Sequence, residues 1–226
     1  MDIGKKKKEK IILAVDTVSE ISSVAVGSSD LLWQGERRQS SELLKKIEKL
    51  MEENRIDFSV LGGVGVIIGP GSYTGIRIGV SVANTMAQFC RIPIKTMDTL
   101  CAQVLILVDS IDRKEQNKKN KKEIISLISA GFGRVYARKY FFHNNMIDPV
   151  SDFFHGEAID FLKQEDKNIF IVGEINKELK KILDDGGFGK IFLYERGVEK
   201  SRSRILVENF CDLSAEKKNL ALPKYL

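Results

Sequence analysis

The segment Gly62–Gly79 constrains the fold of this chain more than any other segment. It reads Gly-Gly-Val-Gly-Val-Ile-Ile-Gly-Pro-Gly-Ser-Tyr-Thr-Gly-Ile-Arg-Ile-Gly, so an apolar run passes through a glycine turn into a helical pattern. Gly69 and Gly71 can adopt the positive φ angles of a tight turn, and Ser72 is a favourable N-cap residue. The pattern therefore predicts a buried strand that leads directly into a helix beginning near Tyr73.

Small residues recur at a spacing of four along this predicted helix, which covers residues 72–90. They are Gly75, Gly79, Ala83 and Ala87. Residues four apart lie on one helix face, so these side chains form a shallow ridge that another backbone can approach closely. The other faces are also mostly apolar, which predicts burial on two sides. We expect the ridge to contact a second helix, either from this chain or from a partner.

The order of predicted elements in the first half indicates one compact α/β unit. Helices are predicted at 41–54 and 72–90, and strands at 11–16, 22–26, 31–35, 64–68 and 92–96. Three hairpin strands followed by alternating helices and strands form the order of a ribonuclease-H-like unit, which occurs twice in the sugar kinase, heat-shock and actin superfamily.

The second half is compatible with a reduced second copy of this unit. Strands are predicted at 123–129, 135–142, 168–172 and 190–194, and helices at 156–165, 175–183 and 204–213. The predicted fold is thus α/β and actin-like, with two lobes. Residues 1–109 and 204–226 would form the first lobe, 123–203 the smaller second lobe, and 110–122 a Lys-rich linker or loop.

Composition points to a globular protein without a membrane anchor. The chain has 226 residues, 43% of them hydrophobic, and a formal net charge of +5. Its sequence shows neither an apolar run long enough to cross a membrane nor the pattern of a secretion signal, so we expect a cytoplasmic location. The positive charge is concentrated in Lys5–Lys10 and Arg113–Lys122. These runs are typical of solvated segments, and direct contact with RNA phosphates is the alternative.

Several segments carry a family resemblance. Ile-Leu-Ala-Val-Asp-Thr at 12–17, the glycine-rich stretch 68–79, Ile-Pro-Ile at 92–94 and Ala-Leu-Pro-Lys-Tyr-Leu at 221–226 resemble the TsaB (YeaZ) family. That family is a bacterial subunit of the machinery that transfers a threonylcarbamoyl group to N6 of adenosine 37 in ANN-decoding tRNAs. The resemblance implies a non-catalytic accessory subunit that binds and supports the catalytic subunit TsaD.

The resemblance also implies partners and a surface for them. TsaB pairs with TsaD through its first two helices, TsaE, an ATPase, docks on the pair, and a homodimer is expected when TsaD is absent. The complex uses ATP and approaches tRNA, whereas no cofactor is expected on this chain alone. The predicted partner interface consists of Leu44, Ile47, Met51, Gly75, Ile76, Gly79, Val80, Ala83 and Ala87.

One segment departs from the family pattern. The usual Asp-Ala-Arg-x-Gly-Glu-Val-Tyr stands here as Ser-Ala-Gly-Phe-Gly-Arg-Val-Tyr at 129–136, so Ser129 and Arg134 replace two acidic residues. We expect the fold to tolerate this change, because Gly133 and Tyr136 remain in place. The charge that this segment offers to a partner differs.

The alternative hypothesis is an ATP-using, kinase-like enzyme of the same superfamily. Active members bind phosphate at a first turn resembling Asp-x-Gly-Thr, whereas this chain has the β-branched Val18 where the glycine would stand. A second candidate is an anion-binding turn at the start of the apolar helix. It would comprise Gly69, Gly71, Ser72, Thr74 and Arg77.

Other kinds of site find less support. The turn lacks the Gly-Lys-Ser/Thr of a P-loop, so a role in starting and packing the helix is favoured over anion binding. His143 and His155 are the only histidines and form no ligand pattern, and the three cysteines have no zinc spacing. We therefore predict neither catalytic residues nor a metal site.

Overall fold

A computed structural model of the chain describes residues 11–34, 39–110, 122–144, 146–194, 200–216 and 219–225, with the side chains of residues 39 and 40 left out. The lysine run of the N-terminus and nearly all of the 110–122 linker lie outside the described residues. The predictions of solvated segments or tRNA contacts there stay predictions.

The first sheet confirms the predicted meander followed by parallel strands. Its order is β3-β2-β1-β4-β5, with β1–β3 antiparallel and β1, β4 and β5 parallel. The strands are β1 (Ile11–Asp16), β2 (Ile21–Val26), β3 (Ser29–Gln34), β4 (Leu61–Ile67) and β5 (Ile94–Met97). Five consecutive residues of β1 are buried, since helices cover both sides of the sheet.

Helices α1 (Gln39–Glu53), α2 (Tyr73–Cys90) and α6 (Arg202–Glu208) pack on this sheet. A Cβ at Gly65 would meet Leu206 of α6, while Val66 lies on the other side of β4, close to Gly79 of α2. Because side chains alternate along a strand, α2 and α6 cover opposite faces. The sheet and these three helices are called the first lobe below.

The second sheet has the order β11-β10-β6-β7-β8, and β9 also pairs with β7. Its strands are β6 (Lys122–Gly131), β7 (Arg134–His143), β8 (Met146–Pro149), β9 (Phe154–Glu157), β10 (Phe170–Glu174) and β11 (Ile191–Leu193). Together with α4 (Ala158–Leu162) and α5 (Lys177–Asp185) it is called the second lobe below. The helix predicted at 156–165 is too long, because Gly156 pairs with Val135 in the sheet. The predicted helix 204–213 begins two residues earlier and ends at Glu208, and a 3-10 turn follows at Phe210–Asp212.

A helix absent from the sequence prediction, α3 (Thr99–Ser110), joins the two lobes. Its Leu100, Val104 and Leu107 pack against strands of the second sheet, and Ser126 of β6 donates a hydrogen bond to the Gln103 side chain (2.8 Å). The same helix also contacts α6. Helices α3 and α6 therefore form the junction between the lobes. The predicted domain boundaries, with their break at 110–122, stay a prediction.

The C-terminal segment lies along the first lobe as an extended strap. Asn84 of α2 exchanges two hydrogen bonds with the backbone of Ala221, at 3.0 and 2.8 Å. The Lys224 amide donates to the carbonyl of Ile68 (2.8 Å). These contacts fix the terminal motif beside α2 and its preceding turn. Within the parts of the chain that the structure describes, no helix has the length and apolar character to cross a membrane.

Candidate functional site

The glycine ridge of α2 faces the turn between β1 and β2, inside the chain. The Thr17 hydroxyl donates a hydrogen bond to the carbonyl of Gly75 (2.6 Å). A Cβ at Gly75 would lie 1.9 Å from the Thr17 carbonyl oxygen, and one at Gly79 would lie 2.6 Å from Thr17 Oγ1. Both glycines are therefore required by the close approach of the first hairpin turn, not by a second helix.

The predicted partner interface is wrong for most of its residues, because they form the inner face of the two helices. Gly75, Ile76, Gly79, Val80, Ala83 and Ala87 of α2 are buried, as are Ile47 and Met51 of α1. The spacing of four correctly predicted that the small residues share one face of a helix. That face packs on the hairpin and sheet of the same chain. Of the predicted set, only Leu44 is exposed, with 51% of its surface accessible.

The opposite face of α2 is open and carries apolar side chains. Tyr73 and Phe89 expose 59% and 83% of their surfaces, and the partly buried Ile78 and Val82 lie between them in sequence. A groove of about 410 Å³ follows this face and is lined by Tyr73, Thr74, Arg77, Ile78, Ser81 and Val82. These residues, together with Phe89, are called the outward face of α2 below.

The terminal strap borders this outward face. The ring of Tyr225 lies 5.0 Å from that of Tyr73 between centroids, a distance typical of aromatic pairs. The guanidinium carbon of Arg77 lies 5.4 Å from the centre of the same Tyr73 ring. The exposed Leu222 adds a further apolar side chain on the strap. The open surface thus extends from α2 onto the C-terminal segment.

In the proposed anion-binding turn, the Ser72 amide and the Gly75 amide that follows it already have partners within the chain. The Ser72 amide donates to the Val18 carbonyl (2.6 Å), and the Gly75 amide donates to Ser72 Oγ (3.2 Å). The latter bond confirms Ser72 as the N-cap of α2. Thr74 and Arg77 are exposed on the outward face. The turn therefore serves to dock α2 on the hairpin turn, and anion binding there is left as an untested hypothesis.

The first half of the β1–β2 turn, at Thr17 and Val18, is folded into the core of this chain. Val18 is fully buried, and its amide donates to Asp16 Oδ1 (3.1 Å). The Thr17 and Val18 carbonyls face the start of α2. The turn consequently presents carbonyl oxygens to α2. A phosphate-binding turn, in contrast, presents backbone amides to the anion.

Arg202, at the start of α6, lies beside this turn and is fully buried. Its Nε donates to Asp16 Oδ2 (2.6 Å), and its Nη1 donates to Glu174 Oε1 of β10. Its Nη2 donates to Ser19 Oγ (2.6 Å), while the ring of Tyr194 packs 4.4 Å from the guanidinium carbon. One guanidinium thus connects strands from both sheets.

The guanidinium of Arg202 offsets part of the carboxylate charge in this cluster. Burial disfavours the charged form of Arg202, but the nearby carboxylates of Asp16 and Glu174 outweigh burial and raise its pKa. Burial raises the pKa of Asp16, and the guanidinium opposes that effect. Burial also raises the pKa of Tyr194 to about 12, so this phenol stays protonated at neutral pH. Arg202 is therefore a permanent cation with two carboxylate partners.

A cleft of about 750 Å³ opens above this cluster, between the lobes. Its lining includes the β1–β2 turn, Trp33, Tyr136 and the two carboxylates Glu20 and Glu174. No lysine or arginine lines it among the described residues. The described part of the lining thus carries carboxylate charge, which opposes binding of a polyphosphate there.

Sequence reasoning missed Arg202 and Glu174. Asp16 stands in the motif at 12–17 that resembles the family, whereas Arg202 belongs to a charged segment without any period. No local sequence pattern connects Asp16, Glu174 and Arg202, and only the fold brings them together.

The histidines make local contacts. His143 lies 2.8 Å from Asp148 Oδ2, and the ring of His155 stacks on that of Tyr136 at 4.4 Å. Within the described residues, no three His, Cys, Asp or Glu side chains are grouped in a way that could hold a metal ion.

Comparisons with known proteins identify the family. A family model described as "TsaD: tRNA N6-adenosine threonylcarbamoyltransferase" matches residues 34–180. A "tRNA threonylcarbamoyladenosine biosynthesis protein TsaB" of Buchnera aphidicola (subspecies Schizaphis graminum) is 28% identical over 209 residues, covering 90% of each chain. The Bacillus subtilis protein of that name is 25% identical over 183 residues, which cover 77% of this chain and 75% of the relative.

Solved structures give the same fold. "YeaZ from Pseudomonas aeruginosa" superposes with a TM-score of 0.71 at 17% identity, over 96% of this chain and 100% of that one. A second structure from the same organism, of "an uncharacterized protein with similarity to peptidase YEAZ", gives 0.73 at 17% identity, over 96% of this chain and 99% of that one. The actin-like α/β fold expected from the order of elements is thereby confirmed. The chain belongs to the family of the TsaD model, and within it to the TsaB (YeaZ) proteins of tRNA threonylcarbamoyladenosine biosynthesis.

Proposed function

We propose that this chain is a non-catalytic subunit that binds TsaD and supports its transfer of a threonylcarbamoyl group to N6 of adenosine 37 in ANN-decoding tRNAs. The observation that carries the proposal is the outward face of α2, on which Tyr73 and Phe89 are exposed and Ile78 and Val82 are partly buried. Exposed apolar side chains gathered on one helix face are typical of a surface that a partner covers.

The proposed surface replaces the one read from the sequence. It keeps α1 and α2 as the contact elements but uses their outer sides, with Leu44 on α1 and the outward face on α2. The matched family model spans both helices, so a TsaD partner carries the equivalent pair. Two related chains can then meet through the same helices in a pseudo-twofold arrangement. In the absence of TsaD, the same surface would pair two copies of this chain.

The non-catalytic role draws its support from the first hairpin turn. Its carbonyls contact α2, Val18 is buried, and the carboxylate of Asp16 is bound by Arg202. A kinase-like enzyme needs a turn whose amides receive phosphate. We therefore propose that ATP is used by the complex, with TsaE as the ATPase, and that tRNA is approached mainly through TsaD. A cytoplasmic location follows from that role.

Light scattering of the purified chain, alone and mixed with TsaD from the same organism, tests the proposal. The expected mass of the mixture is that of a complex of both chains, and the chain alone should show no ATP hydrolysis above a buffer control. A chain that ignores TsaD and hydrolyses ATP contradicts the accessory role and supports the kinase-like alternative.

A further inference from the structure

The guanidinium of Arg202 stands where three separate parts of the chain meet. This guanidinium forms ion pairs with Asp16 at the end of β1 and with Glu174 at the end of β10. Arg202 is itself the first residue of α6, at the junction of the lobes. Ser19, from the turn after β1, receives a further hydrogen bond. The first and second sheets are thereby connected through one side chain at the base of the cleft.

The contact lies at the carboxyl ends of strands, where open α/β sheets bind their ligands. Asp16 is the last residue of β1 in the first sheet, and Glu174 is the last residue of β10 in the second. The buried carboxylate of Asp16 and the partly buried carboxylate of Glu174 would repel each other without a cation between them. Here the cation is a side chain of the chain itself.

We propose that Arg202 is a fixed latch that holds the two lobes at one separation without any bound ligand. The latch takes the place that a bound cation would fill between the two carboxylates. It keeps the cleft at constant width, and it presents the first lobe to a partner as a rigid surface. This inference is independent of which partner binds the outward face of α2.

Glu174 is the residue whose change separates a latch from a purely structural ion pair. Asp16 and Arg202 are fully buried, whereas 22% of the Glu174 side chain is accessible at the cleft. Glu174→Gln removes the charge on the second lobe and leaves the pair between Arg202 and Asp16 in place. The apolar packing of α3 on the second sheet also remains, so the chain is expected to fold.

Hydrogen exchange of backbone amides in the full chain tests the latch. In Glu174→Gln, we expect backbone amides in peptides 17–22, 173–177 and 200–205 to exchange at least several-fold faster than in the unsubstituted chain. These segments contain the residues whose contact across the two lobes the substitution weakens. Exchange in the inner turns of α2, residues 76–88, should be unchanged. Arg202→Lys, which retains the charge but cannot bond both carboxylates in the same geometry, should give the same pattern.

The matched control is Asp184→Asn, which removes an exposed carboxylate paired with Lys180 (2.6 Å) in the same lobe. It should leave all these exchange rates as in the unsubstituted chain. The latch is overturned if exchange at the cleft does not change in Glu174→Gln. It is also overturned if every region accelerates equally, because the ion pair would then contribute only to global stability.

Discussion

The two faces of α2 differ in what their side chains do. The inner face is built from glycine and alanine, because the turn between β1 and β2 approaches until Thr17 touches the helix backbone. The outward face carries the larger Tyr73, Val82 and Phe89 and is open. Small residues at a helical spacing therefore predict that another segment packs closely on the helix backbone, but they do not identify that segment. In this chain the exposed aromatic side chains Tyr73 and Phe89 mark the surface that we propose a partner covers.

The largest effect is expected for Gly75→Ala on the inner face. Alanine in an open helix position is more favourable than glycine by about 1 kcal/mol. Here the added Cβ would lie 1.9 Å from the Thr17 carbonyl oxygen, a backbone atom that cannot rotate away. We expect the free energy of unfolding to fall by about 1–3 kcal/mol or more, measured by urea denaturation.

Gly189→Ala is the control for this substitution, since a Cβ at Gly189 meets no atom within 4 Å. Its free energy of unfolding should stay within about 0.5 kcal/mol of the unsubstituted chain. A gain in stability for Gly75→Ala would contradict the packing described for the inner face.

An intermediate effect is expected for Thr17→Val, which keeps the shape of the side chain and removes the hydroxyl. The bond from Thr17 Oγ1 to the Gly75 carbonyl is buried, so the free energy of unfolding should fall by about 1 kcal/mol. Thr85→Val is the matched control, because the Thr85 hydroxyl bonds a carbonyl of its own helix at an exposed site. Equal losses in the two variants would show that the hairpin contact adds no stability.

The smallest effect on stability is expected on the outward face. Ser81 is exposed in the middle of α2 and lines the groove. Ser81→Arg places a long charged side chain there without entering the core, so the free energy of unfolding should change by no more than about 0.5 kcal/mol. A cooperative loss of several degrees in Tm would mean that this face packs within the chain.

The sequence was sufficient for the elements whose own residues determine them. The apolar strand, the glycine turn and the Ser72 cap predicted a helix beginning near Tyr73, and α2 begins at Tyr73. The order of strands and helices predicted the actin-like fold, because alternating patterns restrict the available topologies. Helix α3 was missed since it is buried between α6 and the second sheet and therefore shows little amphipathic period.

The candidate site depended on contacts that no local pattern encodes. The inner face of α2 was assigned to a partner because spacing alone cannot distinguish a hairpin turn from a helix. Arg202 lies 186 positions from Asp16 and 28 from Glu174, so its role follows only from the fold. The resemblance to TsaB supplied the proposed partner, and the exposure of Tyr73 and Phe89 supplied the proposed side of the helix.

The most direct test of the account is the affinity of Ser81→Arg for TsaD, measured by titration calorimetry beside the unsubstituted chain. Ile159→Arg is the matched control, because Ile159 is 62% exposed on α4 of the second lobe. The account predicts that Ser81→Arg weakens binding at least tenfold, about 1.4 kcal/mol, while Ile159→Arg binds normally. Unchanged binding by Ser81→Arg would contradict the assignment of the outward face of α2 as the partner surface.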